Sequence, residues 1–184
     1  MMRGSIVVAV VFGFAAIVHA DDQKKTPVEL AGLSGTAPAD WKVEKPSSSF
    51  RQNQFRLEKE KGDAEDGDLA VFVSQGGGGV EANLKRQEAK FKLADGVKKE
   101  DAIKVSETKV GNNKATYQDI RGTFLARERP GDPSSKVTEK EKYRQLYVIF
   151  EANGTTYSVI LVGPEKTVEK HKKGFDEFIG SFKK

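Results

Sequence analysis

Two runs rich in β-branched and aromatic residues, Tyr143 to Ala152 and Thr155 to Val162, flank the dipeptide Asn153-Gly154. Asn-Gly accepts left-handed backbone at both central positions of a two-residue turn, so this pattern predicts a β-hairpin. Ile103 to Val110 and Lys114 to Phe124 read as a second hairpin about the turn Gly111-Asn-Asn113, with Gly122 as a candidate bulge. Further upstream, Trp41 to Val43 and Phe50 to Leu57 alternate apolar with polar residues across Pro46-Ser-Ser-Ser49, the pattern of two half-covered outer strands. Leu69 to Val73 is a continuous apolar run between charged residues and the glycines Gly76 to Gly79. A run of that kind suits a strand covered on both faces, near the centre of a sheet.

The period changes twice. From Val80 to Phe91, at the helical 100° per residue, Val80, Leu84 and Phe91 fall within about 40°, with Gln87 and Asn83 just to one side. One helix face thus mixes apolar residues with two amides, while Arg86 turns about 120° away, towards solvent or a carboxylate. After Gly163, Pro164 suits a first helical turn, and Val168, His171, Phe175, Phe178, Ile179 and Phe182 share an arc of about 100° up to the chain end. Gly174 is a candidate break in that helix. Arg127 to Lys142 is polar, charged and carries two prolines, which predicts a long exposed loop. The order of elements defines an α+β fold: an antiparallel sheet of about six or seven strands with helices packed on it.

The first residues follow another logic. Arg3 precedes an almost wholly apolar stretch, Ile6 to Val18, and Val18-His19-Ala20 offers a cleavage site before Asp21. Residues 1–20 read as a signal peptide, too short in their apolar run to span a membrane as an uncut anchor. No second apolar stretch follows, so no transmembrane segment is expected after cleavage. Residues 21–32 are polar and broken by Pro27, the composition of a flexible leader, which leaves residues 33–184 as one domain. The expected location is exported, periplasmic or secreted.

Composition narrows the chemistry. There is no cysteine, and the histidines are His19 and His171. Disulfide frameworks, thiolate metal sites and cysteine nucleophiles are thereby excluded. A Ser-His-acid triad would need His171, which sits inside an apolar helical stripe. The 31 basic and 27 acidic side chains are interleaved, which is a solvated surface rather than a nucleic-acid face; Glu128 and Asp132 interrupt the nearest basic cluster, Arg121, Arg127 and Arg129. Ser106 to Lys109 and Ser181 to Lys184 match S-x-x-K without its companion motifs. Asp63, Glu65, Asp66 and Asp68 crowd one loop as hard cations prefer, yet the twelve-residue calcium loop is not matched, and a solvated hairpin tip is the competing reading.

Gly77-Gly-Gly79-Val-Glu-Ala82 matches G-x-G-x-x-A between a strand and a helix, but the surrounding hairpins do not supply the βαβ unit a dinucleotide site needs. The glycines serve equally as a strand-to-helix joint, and a helix N-terminus there can hold an anion. Gly77, Gly78, Gly79, Asn83, Arg86 and Gln87 are therefore the ligand-binding candidates, with the two amides either bonded within the fold or lining a pocket. Arg127 and Arg129 are the partner-binding candidates. No catalytic residue, metal ligand or cofactor is assigned.

Trp41, the string Gly-Gly-Val-Glu-Ala-Asn83-Leu-Lys-Arg86, and Tyr157-Ser-Val-Ile-Leu-Val-Gly163-Pro164 before a final helix with Phe178 and Phe182 together resemble a group of exported bacterial proteins and, more distantly, the PsbP/Mog-like fold. The resemblance spans most of residues 33–183 and implies an αβα sandwich. Members of that fold include extrinsic subunits of the photosynthetic oxygen-evolving complex and proteins that bind the small GTPase Ran, so it implies docking rather than catalysis. The expectation is a non-catalytic binding or assembly module that engages an envelope protein or complex; the alternative is a small-ligand, anion-binding protein or enzyme at the glycine-rich turn.

Overall fold

The computed structural model describes residues 25–74, 78–129 and 132–184. The signal-peptide reading of residues 1–20 lies outside them. The expected strands all form: β3 (Lys42–Glu44), β4 (Arg51–Leu57), β5 (Gly67–Ser74), β7 (Ile103–Val110), β8 (Asn113–Arg127), β9 (Val137–Ala152) and β10 (Thr155–Pro164). With the short β6 (Phe91–Lys92) they build an eight-stranded antiparallel sheet in the order β3-β4-β5-β10-β9-β8-β6, with β7 also paired to β8. Helices α1 (Gly79–Glu88), α2 (Lys99–Ala102) and α3 (Glu165–Ser181) pack on it. This is the expected α+β class.

Turn chemistry sets the registers. Asn153 (φ 52°) and Gly154 (φ 72°) are both left-handed, which matches the right-handed twist of β9 and β10, and the register closes Ala152 directly on Thr155. Irregularity does occur at Gly122, but the extra residue belongs to the facing strand: Gly122 pairs with Tyr143 and Phe124 with Lys140, and Lys142 takes φ 55°. A side chain on Gly122 would meet the Lys92 carbonyl oxygen at 2.7 Å, so glycine lets β6 approach β8.

Three sequence expectations are corrected. The leader assigned to residues 21–32 contains β1 (Thr26–Leu30), which pairs with β2 (Leu33–Ala37) and buries Val28 and Leu30. Pro27 is compatible with this because the hairpin forms its own two-stranded sheet, where an edge position needs no donor. The loop assigned to 127–142 is shorter: β8 and β9 continue as a ladder that pairs Arg127 with Val137, since backbone bonds sustain a two-stranded ribbon of polar residues. Finally, Gly174 does not break α3. It lies where a Cβ would come within 3.3 Å of Pro38 and 3.7 Å of Trp41, so the missing side chain lets the helix seat closely on that loop.

One sheet face carries the core. Phe55 and Leu57, Leu69 and Val71, Val159 and Leu161, and Leu146, Val148 and Phe150 point at α3 and the β1–β2 hairpin. Val168, Phe175, Phe178 and Ile179 answer from the helix, as their spacing predicts. Trp41 meets Phe55 and Phe178 edge-on at 5.9 and 5.4 Å. The last residues close the layer, because Ser34 and Lys183 exchange backbone hydrogen bonds and Phe182 fills the space left by Gly35.

Candidate functional site

The opposite sheet face differs in kind. On β9, side chains alternate Leu146, Val148, Phe150 towards the core and Gln145, Tyr147, Ile149 towards α1. Gln145 and Tyr147 are 1% and 2% exposed, and the neighbouring Gln118 on β8 is fully buried beneath the helix. Buried polar groups must bond. Gln118 Nε2 donates to Leu84 O and Glu88 Oε1 at 3.5 and 3.3 Å, while its Oε1 has no partner among the described residues. Gln145 Nε2 lies 3.4 Å from Gln87 Oε1, and Gln87 and Ser158 bond the Tyr147 hydroxyl. Burial pushes that phenol up to about 12 despite those bonds.

Three cations border this polar floor. Lys90, just past α1, donates to Gln87 Oε1 at 2.8 Å. Arg51, from β4, lies over the Phe72 ring at 5.3 Å and holds both oxygens of Asp68 at 3.0 and 2.8 Å. Arg86 donates to Asn83 Oδ1 at 2.6 Å and acts electrostatically on Tyr147. Lys90 keeps an exposed surface, while partial desolvation by its surroundings, with the nearby Arg51 charge, lowers its pKa. A separate open cavity of about 700 Å³ lies between the start of α1 and the ends of β7 to β9, lined by Val80, Glu107, Lys109, Thr116, Ile149 and Glu151 among others.

Of the ligand candidates, Gly77 lies outside the described residues. Gly78 and Gly79 take φ of 82° and 68°, a left-handed entry to α1 that L side chains resist. Asn83 bonds within its own helix, with Nδ2 on Gly79 O at 2.7 Å and Oδ1 receiving Arg86. Of the two amides, Gln87 is the one that reaches the sheet. The structure therefore brings Gln87 and Arg86 to the polar floor and leaves Asn83 at the helix start. Arg51, Lys90 and Tyr147 were invisible to sequence reasoning, because they come from three separate elements and share no motif.

The other candidates hold the fold. Arg127 donates to Pro133 O and Ser135 O, and Arg129 pairs with Asp132 at 2.8 Å, so both arginines shape the β8–β9 turn. His171 is buried, with Nε2 at 2.9 Å from Glu58 O and Nδ1 at 3.7 Å from Asp40. Ser181 accepts from Thr36 N and donates to Phe178 O. The acidic loop is a brace rather than a solvated tip. Asp63 Oδ2 accepts from Thr167 N and Oγ1 at 2.8 and 2.7 Å, capping α3 from another segment; Glu65 binds Lys140 and Tyr143; Asp66 Oδ1 accepts from Lys59 N. No group of His, Asp or Glu among the described residues is arranged to hold a metal ion.

Comparison with solved structures bears out the distant resemblance of this antiparallel sheet and its packed helices to the PsbP-like fold. The solution structure of cyanobacterial PsbP (CyanoP) from Synechocystis sp. is similar over 92% of this chain and 97% of its own, at 14% identity and a TM-score of 0.50. LpqN, described as involved in cell envelope biogenesis of Mycobacterium tuberculosis, matches over 90% of this chain and 86% of its own at 12% identity and a TM-score of 0.46. A protein from Bacteroides thetaiotaomicron matches over 87% of this chain but 48% of its own, with 13% identity and a TM-score of 0.45. No protein-family model and no curated protein matches the sequence.

Proposed function

We propose that this chain is an exported, non-catalytic binding or assembly module of the cell envelope. Residues 1–20 serve as a signal peptide, and the domain extends upstream of residue 33 to include the β1–β2 hairpin. The observation that carries the reading is that the groups most suited to chemistry, His171, Ser181, Asp63 and Glu65, are engaged in holding helix, hairpin and loop together. A buried histidine bonded to a backbone carbonyl is a packing element, not a base presented to substrate. The PsbP-like fold is consistent with docking, and no helix among the described residues is long and apolar enough to cross a membrane. Arg127 and Arg129, which shape an exposed turn at the sheet's end, are the proposed partner contact, and an envelope protein or complex is the proposed partner.

The test is native mass spectrometry of the mature chain from Asp21, isolated from its own export compartment without a denaturing step. The module reading expects a co-purifying protein at fixed stoichiometry. A bare monomer that also fails to cross-link to any neighbour in intact cells overturns it. A retained small mass instead favours the second reading, ligand binding near α1, which the cations beside Gln87 support.

A further inference from the structure

The turn between β3 and β4 carries apolar surface that the fold leaves in water. Phe50 is 70% exposed and Val43 62%, and no other aromatic side chain among the described residues is exposed. Every residue from Lys45 to Phe50 is exposed as well. A single apolar side chain on a surface is ordinary. Here two share one hairpin, with Pro46 between them in sequence.

The exposure is held in place rather than frayed. Phe50 O accepts from Val73 N at 3.3 Å, Arg51 N donates to Ser48 O at 3.2 Å, and Ser47 N donates to Gln54 Oε1 at 2.9 Å. Arg51, the next residue, is fixed by Asp68 and lies over the Phe72 ring. The backbone at Phe50 is thus tied to the sheet while its ring stands outside the core.

Charge and area select the occupant. Lys42 and Lys45 are exposed, and neither has a carboxylate within ion-pair distance among the described residues. Glu44, between them, is engaged by Arg56 at 3.3 Å and Gln54 at 3.2 Å, and Asp40 faces His171 at 3.7 Å. Pro46 to Ser49 carry no charge. An aromatic ring beside small uncharged residues, flanked by free ammonium groups, matches the interface of an anionic bilayer: the ring enters the headgroup boundary and the lysines stay among the phosphates. A second copy fits worse, because a two-fold contact would set Lys42 and Lys45 against their own equivalents, and β3 is an edge strand of three residues, a length that blunts strand pairing. A protein partner fits worse too, since a stable interface takes about 800 Å² from each side and one aromatic ring supplies about 150–250 Å².

We propose that the β3–β4 turn is a membrane-surface contact, in which Phe50 enters the interface of an anionic bilayer and Lys42 and Lys45 engage its phosphates. This goes beyond the protein partner proposed above and does not depend on it. Arg127 and Arg129 belong to the turn that precedes β9, whereas Phe50 is bonded to Val73, whose ladder runs through Tyr157 to Phe150 near the far end of β9. Lipid and protein contacts therefore occupy opposite ends of the sheet.

The test mixes the mature chain from Asp21, at low salt, with vesicles of phosphatidylcholine holding about 30% phosphatidylglycerol and with pure phosphatidylcholine vesicles, and measures bound protein by sedimentation. Saturable binding to the anionic vesicles is expected, reversed by salt, with Phe50→Ser weakening it about tenfold and joint Lys42→Gln and Lys45→Gln substitution several-fold. Lys61→Gln, on the β4–β5 loop at the other end of β4, is the control for net charge and is expected to bind as the native chain does. Melting temperatures of all variants are expected to match the native one, because the substituted side chains are exposed. Absence of binding by the native chain, or binding that Phe50→Ser leaves unchanged, overturns the proposal. A lipid-free dimer that Phe50→Ser abolishes also overturns it and assigns the turn to a second copy.

Discussion

Asp63 offers the sharpest separation between a solvated acidic loop and a structural one. Its Oδ2 accepts from both the backbone N–H and the hydroxyl of Thr167, in the first turn of α3, although Asp63 lies in the β4–β5 loop. Replacing it by Ala removes an N-cap acceptor, a loss of about 0.5–2 kcal/mol, and a negative charge at the positive end of a helix dipole, about 0.3–1 kcal/mol more. Thr167 is fully buried, so its hydroxyl keeps only its bond to Glu60 N, 3.0 Å away, and its N–H has no water to turn to. The expected loss is therefore about 2 kcal/mol, or roughly 4–8 °C in melting temperature for a domain of this size. Asp63→Asn keeps an acceptor and is expected to lose less than half of that. Urea unfolding monitored by Trp41 fluorescence measures both. A change within about 0.5 kcal/mol for Asp63→Ala, the usual result at an exposed position, would refute the brace.

Glu65 gives a pH dependence. Burial alone would raise its carboxyl, but hydrogen bonds from Lys140 and Tyr143, with the Lys140 charge, more than offset that and hold it below its ordinary 4.5. A depressed carboxylate stabilises above its unfolded value and loses that contribution as pH falls through its folded one, so the stability difference between native and Glu65→Gln chains is expected near neutrality and to fade below about pH 4.5. Phe178→Ala, at the centre of the Trp41, Phe55 and Phe182 cluster, is expected to cost about 3–5 kcal/mol by calorimetry, and a loss under about 1 kcal/mol would contradict the packing. Joint Ala substitution of Arg127 and Arg129 is expected to weaken partner capture while leaving the melting temperature within about 2 °C, since their bonds stay within one exposed turn; unchanged capture excludes that turn as the interface.

Local patterns with a dedicated backbone cause were legible. Asn153-Gly154 announced its hairpin, and the 3.6-residue spacing from Val168 to Phe182 announced the buried face of α3. What escaped were features whose stability comes from elsewhere in the chain. The β1–β2 hairpin turns at Ala31 (φ 57°) and Gly32, which is not a turn dipeptide that sequence alone would flag, and its apolar residues are held by α3. The acidic loop read as a solvated hairpin tip because its partners, Lys140, Tyr143 and Thr167, follow 75 to 104 residues later. The same limit applied to the polar face: the alternation of Gln145 and Tyr147 was readable as strand, but their convergence with Arg51 and Lys90 follows only from the sheet order.

The bridge between Ser34 and Lys183, with Phe182 seated over Gly35, joins the first hairpin of the sandwich to its last residues. A ribosome releases those partners at opposite ends of synthesis. Without the α3 segment, Val28, Leu30 and the apolar side of the sheet have nothing to close on, so the core layer waits for the last helix. Contacts of that sequence separation form late, which makes the docking of the last helix the step that closes the core.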